Sequence, residues 1–293
     1  MLQPIVVGLD GSRESVAAAH WAAREALRRG LPLRLVHARQ GPGTVPPALQ
    51  VPQDGAQRSI RGVFETLTER YPHVRISTDQ LNKAPVRALV DAAEAAELLV
   101  LGSRGHGGLS ERFAGSVAPA AVAQVRQPVV LVPADFADAD EYLPGAGGHS
   151  SDHTGYRDVV LCLDVRHGCG PPLAFAFETA RSRGAALHVV HAWQLPHGRA
   201  ATERAVAVRA EREAGWVLAA VVDPWREKYP SVDVRTRAAQ GRPVHEVVRA
   251  AREAGLLIVG RQMRRGTVGS RTGRVTRLAI RGVSCPVAVV AHD

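Results

Sequence analysis

The sequence predicts an α/β protein built of two doubly wound parallel sheets, and three observations carry that prediction. Short apolar runs of strand length alternate with longer helical patterns, as parallel strands covered by helices on both faces require. The whole alternation then begins a second time. In the first pass a glycine-rich loop separates the fourth strand from the next helix, which is a local recipe for holding an anion.

The elements of the first pass follow in order. Pro4 to Leu9 is a β-branched run ending at Asp10-Gly11-Ser12, and a helical pattern follows from about Ser15 to Arg29. Leu33 to Ala38 is the second strand. Gln40 to Gly55, rich in Gly, Pro and Gln, reads as loop, and Ala56 to Arg70 as the second helix. Val74 to Leu81 gives a third strand. Pro85 opens a helix running to Ala96, because proline lacks only an N–H that the first helical turn would leave unpaired. Leu98 to Leu101 is apolar throughout, as a strand buried on both faces should be. After the glycine loop, Val117 to Val125 has helical spacing with Pro119 in its first turn, and Val129 to Val132 closes the unit. Ligands of such sheets sit at the strand C-termini where the strand order reverses. Asp10 and Gly102 each end a strand of this first pass.

After Pro133 the composition turns acidic and then Gly/Ser/His-rich, so 134–156 reads as a linker between domains 1–133 and 157–293. His149, Asp152 and His153 could be drawn as a metal site, but histidines in such a stretch are ordinarily solvated, and no metal is expected. The repeat then becomes visible. Val159 to Leu163 ending at Asp164 matches the run ending at Asp10, and Val189 to Ala192 matches Leu35 to Ala38. Pro243 to Gly260 matches Pro85 to Gly102, and Pro286 with Val287 to Val290 matches Pro128 with Val129 to Val132.

The glycine spacing carries a resemblance. Gly102, two residues, Gly105, nine residues and Gly115-Ser116 resemble the nucleotide motif of the universal stress protein family. The resemblance covers both copies and implies tandem flavodoxin-like (HUP-type) domains, each a five-stranded parallel sheet of order 3-2-1-4-5. It implies ATP as ligand, with or without Mg²⁺, a stress-response regulatory role and unknown protein partners. It also implies that the two domains pair through their last strands, imitating a family dimer, with a homodimer of the chain possible.

Carried over position by position, the resemblance implies a nucleotide site of Asp10, Gly11, Ser12, His37, Ala38, Leu101, Gly102, Arg104, Gly105, His106, Gly115, Ser116, Val117 and Ala118. Asp10 can accept hydrogen bonds from ribose or adenine; as a turn and cap residue in Asp-Gly-Ser it has a second, purely structural reading. Gly115 and Ser116 are the phosphate candidates, with Arg104 and His106 above them. Ala118 departs from the family, which frequently has a hydroxyl residue there. The second copy offers Asp164, His191, Gly260, Gly273, Arg274, Val275 and Thr276. There Met263 replaces Gly105 and Arg274 replaces Ser116, so ATP is expected to bind weakly or not at all. Arg261, Arg264, Arg265, Arg271, Arg277 and Arg281 surround Arg274 as a basic, solvated loop.

Composition narrows the remaining classes. A net charge of +9 permits an anionic ligand, yet aromatics at 4% supply few stacking platforms, and nucleic acid is not the expected partner. No apolar run reaches the length of a membrane span, and MLQPIVVGLDGS lacks the pattern of a signal peptide. With three cysteines, of which Cys162 and Cys285 read as buried and Cys169 as solvent-facing, the expectation is a cytoplasmic protein. No nucleophile elbow, H-E-x-x-H or other catalytic constellation occurs, so no catalytic residue is nominated. The rival readings are a nucleotide-free adaptor, a slow ATPase and an anion or nucleic-acid binder.

Overall fold

The computed structural model describes residues 2–38, 53–103, 117–145, 150, 152–195, 204–263 and 273–293. The chain divides after Ala137 into two compact units. In the first, the strands are β1 (Ile5–Gly8), β2 (Leu33–Ala38), β3 (Ile76–Leu81), β4 (Leu98–Ser103) and β5 (Val129–Pro133). They alternate with helices α1 (Arg13–Arg29), α2 (Gln53–Arg70), α3 (Pro85–Ala93) and α4 (Val117–Gln124). The strand order is β3-β2-β1-β4-β5 and all these pairings are parallel. This is the doubly wound order that the resemblance implied.

The second unit repeats the pattern with β6 (Val159–Cys162), α5 (Gly170–Arg183), β7 (Leu187–Trp193), α6 (Arg204–Lys228) and β8 (Val234–Gln240). It continues with α7 (Pro243–Ala250), β9 (Leu256–Gln262), α8 (Arg274–Gly282) and β10 (Val287–His292). Its order is β8-β7-β6-β9-β10, again parallel. Register repeats as well as order. Ile5 stands beside Leu33 and Leu98, and its counterpart Val159 beside Leu187 and Leu256.

The sequence explains which strands lie inside. The central runs Ile5–Val7, Leu98–Val100 and Leu256–Ile258 are fully buried, consistent with their unbroken apolar character. The edge strands ISTDQL and VRTRAAQ carry polar residues and are largely exposed. Both first helices end on a glycine in the left-handed region, Gly30 at φ 64° and Gly184 at φ 60°, where a Cβ would be strained. Pro85 and Pro243 each open a helix. Of the described residues, no helix is long and apolar enough to cross a membrane.

The stretch read as linker is more engaged than its composition suggested. Asp138–Glu141 and Asp152–Thr154 form 3-10 turns, and Tyr142 and Tyr156 form an antiparallel bridge. Their rings lie 4.8 Å apart, and the guanidinium of Arg183 sits over Tyr156. Arg157 donates its backbone N–H to Glu141 and its Nε–H to the Tyr142 carbonyl, and Glu141 is fully buried. Residues from Asp138 onward therefore group with the second unit. Two aromatic rings and an arginine, rather than apolar periodicity, hold them there. His149 lies outside the described residues, and among those residues no cluster suited to a metal occurs.

Candidate functional site

In the first unit β1 leads straight into the crevice. Leu9 donates its N–H to the Val36 carbonyl, extending the ladder one residue, and Asp10 then leaves the sheet. Gly11 takes φ 82°, turning the chain into Ser12, the N-cap of α1, whose Oγ accepts the Ser15 N–H. Ser12 donates from its backbone N–H (3.0 Å) and its hydroxyl (2.5 Å) to Asp10 Oδ1. Burial works to raise the Asp10 pKa, but hydrogen bonds from Ser12 and Ser15 outweigh it and hold the carboxyl below its ordinary value. Asp10 is thus an ionised acceptor at the crevice and a member of the turn at once. Oδ1 takes both Ser12 bonds and so serves the turn.

His37 stands at the end of β2 with Nδ1 2.9 Å from the Leu9 carbonyl. A carbonyl only accepts, so Nδ1 carries the proton and Nε2 of the neutral ring is the acceptor. The imidazole ties the tips of β1 and β2 together, with half-buried Ala38 beside it. Across the switch point Leu101 is buried and Gly102 half-buried. A Cβ on Gly102 would land 2.5 Å from the Glu14 carbonyl oxygen, so the missing side chain lets the first turn of α1 press against β4. Val117 and Ala118 open α4 and are half-buried. Arg104, Gly105, His106, Gly115 and Ser116 lie outside the described residues. The structure accordingly brings together Asp10, Gly11, Ser12, His37, Ala38, Leu101 and Gly102 at the strand ends where the order reverses.

The second unit has a half-open cavity of about 280 Å³ at the equivalent place. Asp164, Gly260, Gly273, Arg274, Val275 and Thr276 all line it. His191 stands behind the wall and repeats the first unit's device, with Nδ1 3.0 Å from the Leu163 carbonyl. Three features are new. Asp164 is clamped by Arg166, which donates from Nε (2.8 Å), from Nη2 (2.7 Å) and from its backbone N–H (3.2 Å). Those bonds, working against burial, hold the Asp164 carboxyl below its ordinary value. The His292 ring lies over Gly260, where an added Cβ would be 2.7 Å from Nε2. And α5 begins without a side-chain cap, its Cys169 thiol turned back on the carbonyls of Asp164 and His167.

Three expectations need correction. Arg261 is no part of a solvated basic loop: it sits on β9 at 4% exposure, and burial pushes its pKa down. Arg264, Arg265 and Arg271 lie outside the described residues. Cys162 is not sealed in the core but half-buried at the cavity wall, although burial still pushes its thiol up to about 12. Cys169 is likewise half-buried, so it is not distinguished by solvent access. The roles of Arg166 and His292 escaped the sequence reading. Arg166 occupies the place of Ser12 when the two Asp-initiated turns are aligned, which was a usable signal. His292, two residues beyond the apolar run of the last strand, carried none.

The fold defines a class: a tandem doubly wound α/β protein, in which ligands ordinarily sit at the strand C-termini. The family model described as the universal stress protein family matches residues 1–133 and 155–291, and the chain belongs to that family. A universal stress protein of Mycobacterium tuberculosis, Rv2005c, is 29% identical over 307 residues, spanning 99% of this chain and 97% of its own. One from Mycolicibacterium smegmatis is 29% identical over 305 residues, spanning 98% and 96%. The crystal structure of a universal stress protein from Archaeoglobus fulgidus superposes with a TM-score of 0.64 at 14% identity, covering 99% of this chain and 98% of that one. A putative universal stress protein from Pseudomonas aeruginosa gives 0.62 at 14% identity, covering 100% and 94%. These two structures speak to the fold alone.

Proposed function

We propose that the chain is a nucleotide-dependent regulator that holds ATP, together with its Mg²⁺, mainly in the first unit. The observation that carries the reading is a coincidence of two independent signals. The glycine spacing beginning at Gly102 belongs to β4, and β4 is one of the two strands between which the order reverses. The residues present suit the ligand: Asp10 is ionised, an acceptor for ribose hydroxyls. The tips of β1 and β2 are fixed by His37, so backbone groups at Ala38 present a rigid edge to a base. Phosphates fall to Gly105, Gly115 and Ser116 on sequence grounds.

No group among the described residues of the first unit is nominated to activate water, so the reading is of a binding protein rather than an enzyme, with at most slow hydrolysis. Occupancy then sets conformation or partner choice inside the cell. The test is to denature the purified protein, identify released nucleotide by mass, and titrate ATP into the wild type and Gly115→Val. ATP uptake that the variant loses sustains the reading. A second reading, a nucleotide-free adaptor, is favoured by Ala118, which lacks the hydroxyl of the usual motif. It prevails if the wild type neither carries nor takes up nucleotide.

A further inference from the structure

We propose that the cavity of the second unit binds a small apolar monocarboxylate rather than a nucleotide. The inference goes beyond the ATP reading and does not depend on it.

The cavity's walls come first. Leu163, Pro172, Val190, Pro243, Val247 and Val259 make its lining largely aliphatic. At about 280 Å³ it lies near the lower end of small-ligand pockets. Its acidic groups are already matched. Asp164 has its two oxygens bonded to Arg166, and Glu246 is paired with Arg249 and, at 3.7 Å, with Arg237. Neither carboxylate is open to ribose hydroxyls in the way Asp10 is, and neither repels an anion strongly once its cation is counted.

The end of β9 is covered by the protein itself, and Met263, the counterpart of Gly105, adds a side chain where the first unit has none. His292 is 9% exposed, lines the cavity and sets Nε2 over the Gly260 backbone. Its Nδ1 lies 3.2 Å from the Asp293 carbonyl, which holds the ring in place. The Thr276 hydroxyl is turned to the Gly260 carbonyl at 3.4 Å. Among the described lining residues His167 is turned to Asp164 at 3.8 Å and to Gln262 at 3.4 Å, which leaves for a ligand's charge Arg274, at the first position of α8, a helix whose N-cap Gly273 supplies no side-chain bond. One guanidinium beside unpaired N–H groups matches a single carboxylate. The aliphatic body of the ligand would lie against Val190, Val247 and Val259.

The test uses the full chain carrying Gly115→Val, so that first-unit nucleotide binding does not enter the signal. Octanoate is titrated calorimetrically against this protein and against further variants with Arg274→Ala or Ala192→Phe. 1-Octanol and AMP serve as comparison ligands. The expected result is about one octanoate per chain, weakened about tenfold or more by Arg274→Ala. Ala192→Phe, which fills the cavity from its wall, abolishes uptake, and octanol binds at least about tenfold more weakly. Absence of saturable octanoate binding overturns the proposal. So does binding that ignores Arg274, uptake that survives Ala192→Phe, or equal affinity for octanol. Saturable AMP binding that Arg274→Ala removes identifies the cavity as a nucleotide site and overturns it too. Because Arg274 is exposed, its replacement leaves the fold intact.

Discussion

The two crevices share a backbone and differ in what occupies it. Each lies between the first and fourth strands of its sheet, and each has a histidine whose Nδ1 bonds the carbonyl just beyond the first strand. In the first unit the aspartate bonds the Ser12 hydroxyl and N–H, and the glycine at the end of β4 is covered by the first turn of α1. In the second the aspartate is clamped by Arg166, and the glycine of β9 is covered by an imidazole from the end of the chain. The sheet is thus a frame that keeps its register while the side chains at its crevices differ. Register survives because a one-residue slip would turn every buried side chain outward. The polar groups at the crevice differ while its aliphatic walls, among them Leu163, Val190, Val247 and Val259, belong to the core.

The largest contrast concerns the two glycines. Gly102→Ala drives a Cβ into the Glu14 backbone, which moves only with α1, and should destabilise the protein by about 2–3 kcal/mol. Gly260→Ala meets only a side-chain ring and should cost about 1 kcal/mol or less. Urea unfolding of the pair decides it, and equal losses would show that the two packings are equivalent.

Next come the two aspartates. Asp10→Ala should weaken ATP by about ten- to a hundredfold, the range for a hydrogen bond to a charged group, whereas Asp164→Ala should leave ATP uptake unchanged. Calorimetry reads both. Their pH behaviour should be alike in sign. Both carboxyls are held below their ordinary value, so their stabilisation is present above the unfolded pKa and is lost as pH falls through the folded one. The stability difference between wild type and Asp10→Asn/Asp164→Asn should therefore be constant above about pH 5 and shrink toward about pH 2. A difference that grows on acidification would contradict the hydrogen-bond account.

The smallest effect belongs to Arg166→Ala. Its ion pair with Asp164 is exposed, so removal should change stability by no more than about 1 kcal/mol. It should nevertheless bring the Asp164 carboxyl back toward its ordinary pKa, a shift that carboxyl NMR titration can follow while Asp10 stays fixed.

Much of the frame was legible in the sequence because burial on both faces leaves long apolar runs, and the repeat supplied each run twice. Strand β2 was bounded from sequence as it stands in the structure, and Pro85 marked the start of α3. Helix α1 begins two residues earlier than periodicity suggested, since Ser12 caps it through a side-chain bond that periodicity does not register. The crevice was legible where its residues end strands, as Asp10 and Gly102 do. It was illegible where groups distant in the chain meet. Nothing near Gly260 announces that His292 covers it, and the arginine count around Arg274 concealed that Arg261 belongs to the interior. Glycine spacing also conceals its cause: Gly102 fits a phosphate motif, yet its immediate neighbour is a helix backbone.

The tandem is proposed to be functionally asymmetric, with nucleotide held mainly by the first unit. The most direct measurement is calorimetric ATP stoichiometry for the wild type, Gly115→Val and Gly273→Val. One ATP per chain, lost in Gly115→Val and kept in Gly273→Val, is the predicted result. Two per chain, or a single site abolished by Gly273→Val and untouched by Gly115→Val, would contradict it.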